Sequence, residues 1–247
     1  MSGHSKWSKI KHQKGVDDIK RGNLFTKLTR EIIMAAREGG GRSDTNFRLR
    51  LAVQKARDSN MPMDNIERAI GKGTGELGGG SLVEMVLEGY GPNGIAILVN
   101  ALSDNRNRTV QEVRSTFTRH GGNLGESGCV SWLFESKGVI TIQAENIDAD
   151  ELALAAIDAG ADDVKVVSGF VEVYTAPTQL EKVRQALEKN KVKIESSELM
   201  KEAKTLIKLD EKAGTQALKL LEHLEEIDDV QNVYSNADIP DSVYQAA

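Results

Sequence analysis

The sequence predicts an α+β protein, and three observations support this class. Apolar residues recur at the three- and four-residue spacing of helices in the first 72 residues. From residue 82 onward, strand-like runs rich in Val and Ile alternate with helical segments. The chain has 247 residues, of which 39% are apolar, and this is enough for more than one packed core. We therefore expect two or three domains.

The first part of the chain predicts three short helices joined by tight turns. The first helix is expected to begin with Asn23 as its N-cap and to end at the glycines 39–41. The second spans residues 44–59 and carries apolar and basic side chains, and the third follows Pro62. Three such helices form a small all-α domain.

A glycine-rich stretch separates the helices from the strands. The sequence GKGTGELGGGS is typical of a flexible linker. The runs LVEMVLEGYG and GIAILVNALSD then predict a β-hairpin. A helix is expected from Thr109 to His120, because Thr109 and Glu112 have the spacing of a capping box. The run CVSWLF predicts a further strand.

Residues 138–197 follow the order strand, helix, strand, strand, helix, strand, which is the pattern of a ferredoxin-like unit. The C-terminal segment is too short for a core of its own, so we expect it to complete the sheet formed by residues 82–134. The predicted organisation is a basic arm (1–21), a three-helix domain (22–72), a linker (73–81), a discontinuous α+β domain (82–136 plus 205–247) and an inserted ferredoxin-like α+β domain (137–204).

Charge is distributed unequally along the chain. Residues 1–72 contain 16 Lys plus Arg against 8 Asp plus Glu, a formal +8, whereas residues 73–247 contain 16 against 29, a formal −13. A basic region on an acidic protein predicts a polyanionic partner such as a nucleic acid. The candidate nucleic-acid-binding residues are His4, Lys6, Trp7, Lys9, Lys11, His12, Lys14, Lys20, Arg21, Arg48, Arg50, Lys55, Arg106 and Arg108.

Two of these groups also have simpler interpretations. Trp7 lies among lysines, where it suits stacking on a base, but it could equally anchor the arm to its own domain, or the arm could be a solvated tail. Arg106 and Arg108 lie in SDNRNRT, at a predicted junction of strand and helix. Such arginines bind phosphate in some proteins and pair with neighbouring carboxylates in others, and both alternatives stay open.

Other chemistry finds little support in the sequence. The G-x-G-x-x-G match at residues 73–78 follows a helix and precedes a strand, the reverse of a dinucleotide-binding motif. The histidines lack Cys or carboxylate neighbours at the spacing of a metal site. Paired acids and nucleophile motifs are absent, so we expect neither an enzyme nor a cofactor, metal ion or small-molecule substrate. One cysteine and no run of 18 apolar residues predict a cytoplasmic protein without a membrane partner.

Five motifs, taken together, resemble the YebC/PmpR family over essentially the whole chain: GHSKWSKIKHQKG, NMPMDNIERAIGKG, EGYGPNGIAILV, SDNRNRT and GGNLGESGCVSWLF. The resemblance implies a non-enzymatic protein of three domains, with the last inserted into the middle one. Bacterial members are described as DNA-binding transcriptional regulators. Mitochondrial relatives activate translation of a cytochrome oxidase subunit, and some bacterial members are ribosome-associated factors that relieve stalling.

The expected function is therefore regulation of gene expression through nucleic-acid binding, as in the DNA-binding transcriptional regulators of that family. The alternative is a ribosome-associated translation factor that binds ribosomal RNA and relieves stalling, which the charge pattern alone favours. The DNA regulator is weakened because no helix-turn-helix with Asn, Gln or Arg along one exposed helical face is recognisable in the sequence.

Overall fold

The structure is a computed structural model that describes residues 18–78, 81–144, 148–167 and 169–246. The predicted α+β class with an N-terminal helical region is confirmed. The chain divides into two compact units, of which one is Phe134–Lys204 and the other comprises the residues on either side of it. The predicted boundaries of the three domains stay predictions. Within the described ranges, no helix combines the length and apolar character needed to span a membrane.

The helical region contains α1 (Asp18–Gly39), α2 (Phe47–Asp58) and α3 (Met63–Thr74). The prediction that Asn23 caps the first helix is wrong, because helical backbone extends back to Asp18 and no proline interrupts it. The second helix begins at Phe47, later than predicted, because Asn46 is its N-cap. The Asn46 side chain accepts from the backbone N–H of Leu49 at 3.0 Å and donates to the carbonyl of Ala35 at 2.7 Å. This buried amide ties the start of α2 to α1.

The three helices enclose one apolar core that contains Leu28, Ile32, Leu49, Ala52 and Ile66. Helices α1 and α3 approach each other closely at Gly73, which is buried. A Cβ atom at Gly73 would lie 2.6 Å from the Cβ of Ala36 and 2.6 Å from the carbonyl oxygen of Ile33. Glycine therefore permits the spacing of the two helices.

Replacing Gly73 with alanine is expected to destabilise the protein by about 1–3 kcal/mol, because the new methyl group overlaps backbone atoms of α1. Gly22 supplies a matched control, since it lies exposed in α1 and a methyl group there would have no atom within 4 Å. Gly22→Ala is expected to stabilise by about 0.5–1 kcal/mol through helix propensity. Urea unfolding followed by circular dichroism measures both changes. Equal effects of the two substitutions would contradict the close approach.

The first sheet contains four strands, β1 (Val83–Tyr90), β2 (Ala96–Ser103), β3 (Asn123–Leu124) and β9 (Val230–Ser235), in the order β3-β1-β2-β9. Strand β9 follows the inserted unit in sequence and pairs antiparallel with β2. Helices α4 (Arg106–Arg119) and α7 (Glu211–Glu226) contribute Phe117 and Leu220 to the core on this sheet. A two-stranded sheet of β8 (Ile207–Lys208) and β10 (Ala237–Asp238), and α8 (Asp241–Ala246), complete the unit.

Two local predictions in this unit are wrong. Helix α4 begins at Arg106 rather than Thr109, because the Asn105 side chain accepts from the backbone N–H of Arg108 and acts as the N-cap. The run CVSWLF forms a short 3₁₀ turn, Ser131–Leu133, before a strand begins at Phe134. The backbone N–H groups of Val130 and Ser131 are directed to the carboxylate of Glu88 instead of a neighbouring strand.

The second unit has the predicted order of strands and helices, with β4 (Phe134–Gln143), α5 (Ala149–Ala159), β5 (Asp163–Val167), β6 (Phe170–Thr175), α6 (Leu180–Lys189) and β7 (Ile194–Ala203). The sheet order is β5-β6-β4-β7 and all described pairs are antiparallel. This is the arrangement of a ferredoxin-like sheet. Val139 and Val173 of the sheet and Leu187 of α6 are buried in this unit.

Candidate nucleic-acid interface

A buried carboxylate organises the region where the helices meet the first sheet. Asp229, whose side chain is 4% exposed, lies between α7 and β9. One carboxylate oxygen accepts from the hydroxyls of Ser103 at 2.8 Å and Thr109 at 2.5 Å. The same oxygen accepts from Arg108 at 3.0 Å, and the other oxygen pairs with Arg30 of α1 at 3.0 Å. Asp229 thus links α1, β2 and α4.

The environment of Asp229 keeps it ionised. Burial alone would raise the pKa of this carboxyl, but hydrogen bonds from Thr109, Ser103 and Arg108, together with the positive charge of Arg30, lower the pKa below its ordinary value. The same contact acts on Arg108, because hydrogen bonding to Asp229 raises the pKa of its guanidinium group. The cluster therefore joins structural elements and fixes the orientation of two arginines.

Three of the predicted binding arginines are engaged in intramolecular contacts. Arg48 pairs with Glu38 at 2.5 Å and with Glu84 at 3.2 Å. Arg50 donates to the carbonyls of residues 43 and 44. Arg108 contacts Asp229 and also Asp104, at 2.9 Å. For Arg108, the carboxylate pairing that the sequence left open is therefore present in the structure.

The remaining predicted residues are placed differently. Arg106 is exposed at the start of α4 and makes no ion pair with any residue that the structure describes, while Lys55 is partly exposed on α2. Lys20 and Arg21 lie in α1, and their side chains are outside the described part. The arm residues also lie outside the described residues: His4, Lys6, Trp7, Lys9, Lys11, His12 and Lys14. Nucleic-acid binding by all of these residues stays a prediction.

The structure adds exposed cations that are not among the predicted binding residues. Arg57 lies at the end of α2, and Arg68 and Lys72 lie one turn apart on α3. None of the three makes an ion pair within the described ranges. Their spacing on α3 was readable from the sequence, but their freedom from carboxylates required coordinates. They are available to a phosphate backbone in a way that Arg48 is not.

A second feature that was not predicted lies on the outer face of α4. Asn107, Gln111, Arg114 and Thr118 follow one another at intervals of four, three and four residues, and all are exposed. This row of exposed Asn, Gln and Arg side chains was not identified from the sequence, whereas the expectation that no helix-turn-helix is recognisable stays a prediction. The predicted helix from Thr109 to His120 contains Gln111, Arg114 and Thr118, and the observed start at Arg106 adds Asn107 to the row.

No metal-binding cluster is found among the residues that the structure describes, since no group of three or more His, Cys, Asp or Glu side chains is positioned there to hold an ion. His120 and His223 lie with ring centroids 4.3 Å apart, but the Nδ1 atom of each ring lies within hydrogen-bond distance of a backbone carbonyl of its own helix.

The fold and these surfaces define an α+β protein whose N-terminal helical region carries exposed cations. Two family descriptions match the chain: "TACO1/YebC protein N-terminal domain" over residues 5–76 and "TACO1/YebC second and third domain" over residues 82–237. The chain belongs to the TACO1/YebC family.

Similar proteins agree with this assignment. A relative from Dehalococcoides mccartyi is 59% identical over 245 residues, covering 99% of this chain and 98% of the relative. One from Dictyoglomus turgidum is 50% identical and covers 100% and 99%. Both are named probable transcriptional regulatory proteins, which places the chain in a family of regulators. The crystal structure of the conserved hypothetical protein Aq1575 from Aquifex aeolicus is similar with a TM-score of 0.84 and 48% identity, covering 91% of this chain and 93% of that one.

Proposed function

We propose that this chain is a non-enzymatic, cytoplasmic regulator of gene expression that acts by binding nucleic acid, without a cofactor, metal ion or small-molecule substrate. The observation that supports the proposal is the division of charge, a formal +8 in residues 1–72 against −13 in residues 73–247. Exposed cations at Arg57, Arg68 and Lys72 extend the basic surface onto the folded helices. The names of the relatives agree with a regulatory role.

The N-terminal lysines supply the first test. Replacing four of them with alanine is expected to weaken binding to every nucleic-acid sequence, because phosphate contacts do not depend on the bases. The slope of log K against log salt should fall by roughly 0.9 for each lost duplex contact. Fluorescence anisotropy over a series of salt concentrations measures this slope. The four positions are Lys6, Lys9, Lys11 and Lys14.

A matched control removes four lysines from the acidic part of the chain, Lys182, Lys189, Lys191 and Lys193. These substitutions change the net charge by the same amount and should leave the salt slope unaltered. A slope that is equally unaltered in the N-terminal variant would remove the arm from the binding site. A slope that falls equally in both variants would mean that net charge alone governs the attraction.

The translation-factor alternative is supported by a different observation, the position of Trp7 among lysines and histidines. Such a segment suits structured or single-stranded RNA, where aromatic side chains stack on exposed bases. Sedimentation of the full chain from a cell lysate through a sucrose gradient distinguishes the two functions. Co-migration with ribosomes that ribonuclease abolishes would favour the translation factor, whereas protein that stays at the top of the gradient would favour the DNA regulator.

A further inference from the structure

We infer that the outer face of α4 binds in the major groove of duplex DNA and reads base edges. This inference rests on the proposed nucleic-acid-binding function and assigns its sequence-reading surface. The face consists of Asn107, Gln111, Arg114 and Thr118, and we call it the α4 face.

The α4 face is a continuous row directed away from the core. Thr109, Val113, Thr116 and Phe117 are the buried residues of the helix, and they occupy its opposite side. From Asn107 to Thr118 the helix rises about 16 Å, at 1.5 Å per residue. A row of this length spans about five base pairs at 3.4 Å each. The dimensions of the row therefore suit a short recognition site.

The side chains on the α4 face have the chemistry of base recognition. Asn and Gln can form two hydrogen bonds with adenine, and Arg can form two with guanine. In the part of the chain that the structure describes, the side chains of Asn107, Gln111 and Arg114 form no hydrogen bond or ion pair. Thr118 donates its hydroxyl to the carbonyl of Arg114, so its methyl group is what it offers to a thymine. Three unengaged polar groups are thus presented together.

The charge of α4 complements DNA. The helix contains four arginines and one glutamate, a formal +3, whereas the other residues of 73–247 contain 12 Lys plus Arg against 28 Asp plus Glu. Arg108 is paired with Asp104 and Asp229, and the other three arginines form no ion pair within the described ranges. Helix α4 is therefore a cationic part of an otherwise acidic region, and it suits contact with the phosphates of DNA. Arg106 and Arg119 are exposed at the two ends of the helix, where they can contact phosphates on either side of the groove.

Duplex DNA fits the α4 face better than RNA does. The major groove of B-DNA is about 12 Å wide and admits a helix, whereas the major groove of A-form RNA is too deep and narrow.

Helix α4 is fixed in position by contacts with the rest of its unit. Asn105 caps its first turn, Thr109 is bonded to Asp229, and Phe117 is fully buried. Side chains on a rigid helix are positioned more precisely than those on a loop.

The test begins with selection of a preferred duplex from a random-sequence DNA pool by the full chain. Gln111→Ala and Arg114→Lys are then compared with the unsubstituted protein, since both variants keep the net charge. Each is expected to bind the selected duplex roughly 10- to 100-fold more weakly, because one bidentate base contact is lost. Affinity for random-sequence duplex and the salt slope should stay unchanged. Gln216→Ala, at an exposed position of the neighbouring α7, is the matched control and should bind as the unsubstituted protein does.

Several results would overturn the inference. These are a pool that yields no enriched sequence, variants that keep full affinity for the selected duplex, or losses that are equal on selected and random duplexes. Binding to structured RNA without any selected duplex would overturn the inference but leave the proposed function intact. A chain that binds neither DNA nor RNA at low salt would overturn both. Circular dichroism of each variant separates lost recognition from lost folding.

Discussion

Replacing Asp229 with alanine is expected to lower the free energy of unfolding by about 3–5 kcal/mol, because it removes one member of a buried charged cluster. The carboxylate accepts two hydroxyl donors and two guanidinium groups, from Ser103, Thr109, Arg108 and Arg30. Without it, the two hydroxyls lose a charged acceptor and the Arg30 charge lies partly buried without its carboxylate. Urea unfolding followed by circular dichroism measures the loss.

Asp104 provides the control for this prediction. It contacts the same arginine, Arg108, at 2.9 Å, but its side chain is 62% exposed. Surface pairs of this kind contribute little because water screens both charges. Asp104→Ala is therefore expected to leave stability nearly unchanged. Similar losses for the two substitutions would mean that Asp229 does not act as a buried centre.

The stability that Asp229 contributes should also depend on pH. Because its pKa is lowered in the folded protein, the unfolded chain binds the proton more tightly. The contribution is therefore present above the ordinary Asp pKa of about 3.9 and is lost as the pH falls further. The difference in stability between the unsubstituted protein and Asp229→Asn should accordingly narrow in acid.

Repeating local patterns explain what the sequence could predict of the fold. The helical spacing of apolar residues, such as Leu28 and Ile32 in α1, identified the helices. These residues and Ile66 of α3 are buried in the core of the helical region. The order of elements in residues 138–197 identified the ferredoxin-like sheet, since runs such as GVITIQ and FVEVYTA are rich in β-branched residues. Helix starts were less predictable, because Asn23, Asn105 and Thr109 are all acceptable caps by composition. At the start of α4, the Asn105 side chain caps the helix, whereas the hydroxyl of Thr109 donates to Asp229, which is distant in sequence.

Contacts distant in sequence explain what the sequence could not predict of the candidate site. Arg108 is paired with Asp229, a residue 121 positions away, so its engagement could not be read locally. Arg48 meets Glu84 across the glycine-rich stretch in the same way. Arg114 and Gln111 form no side-chain hydrogen bond or ion pair within the described ranges. This could not be read from the sequence either, because it depends on which distant residues the fold brings near them. Composition located the basic region, but only the fold distinguishes structural cations from available ones.

Glu88 is a second buried carboxylate whose contacts, distant in sequence, could not be predicted from local patterns. It lies on β1 and is 4% exposed. Its two oxygens accept from the backbone N–H groups of Gly128, Val130 and Ser131, at 2.7, 2.8 and 2.7 Å. Burial alone would raise the pKa of Glu88, but these three backbone hydrogen bonds lower it. The charged side chain thus replaces a neighbouring strand as the acceptor for the turn that precedes β4.

Substituting Glu88 with glutamine is expected to lower the free energy of unfolding by about 2–4 kcal/mol. The neutral amide makes weaker hydrogen bonds and turns donor hydrogens toward backbone N–H groups that are already donors. Amide hydrogen exchange should show the effect locally, with faster exchange at Gly128, Val130 and Ser131 than in the rest of the first sheet. Like that of Asp229, this contribution requires the ionised form, so it should disappear as the pH falls below the ordinary Glu pKa of about 4.3.

Glu84 is the matched control, since it lies on the same strand and the same side as Glu88, but its side chain is 44% exposed. It pairs with Arg48, and Glu84→Gln should produce a far smaller loss because that pair is largely solvated. If Glu88→Gln left the three amides as protected as before, the turn would be held by packing of the residues around it. If it accelerated exchange throughout the sheet to the same degree, Glu88 would stabilise the unit globally rather than the turn.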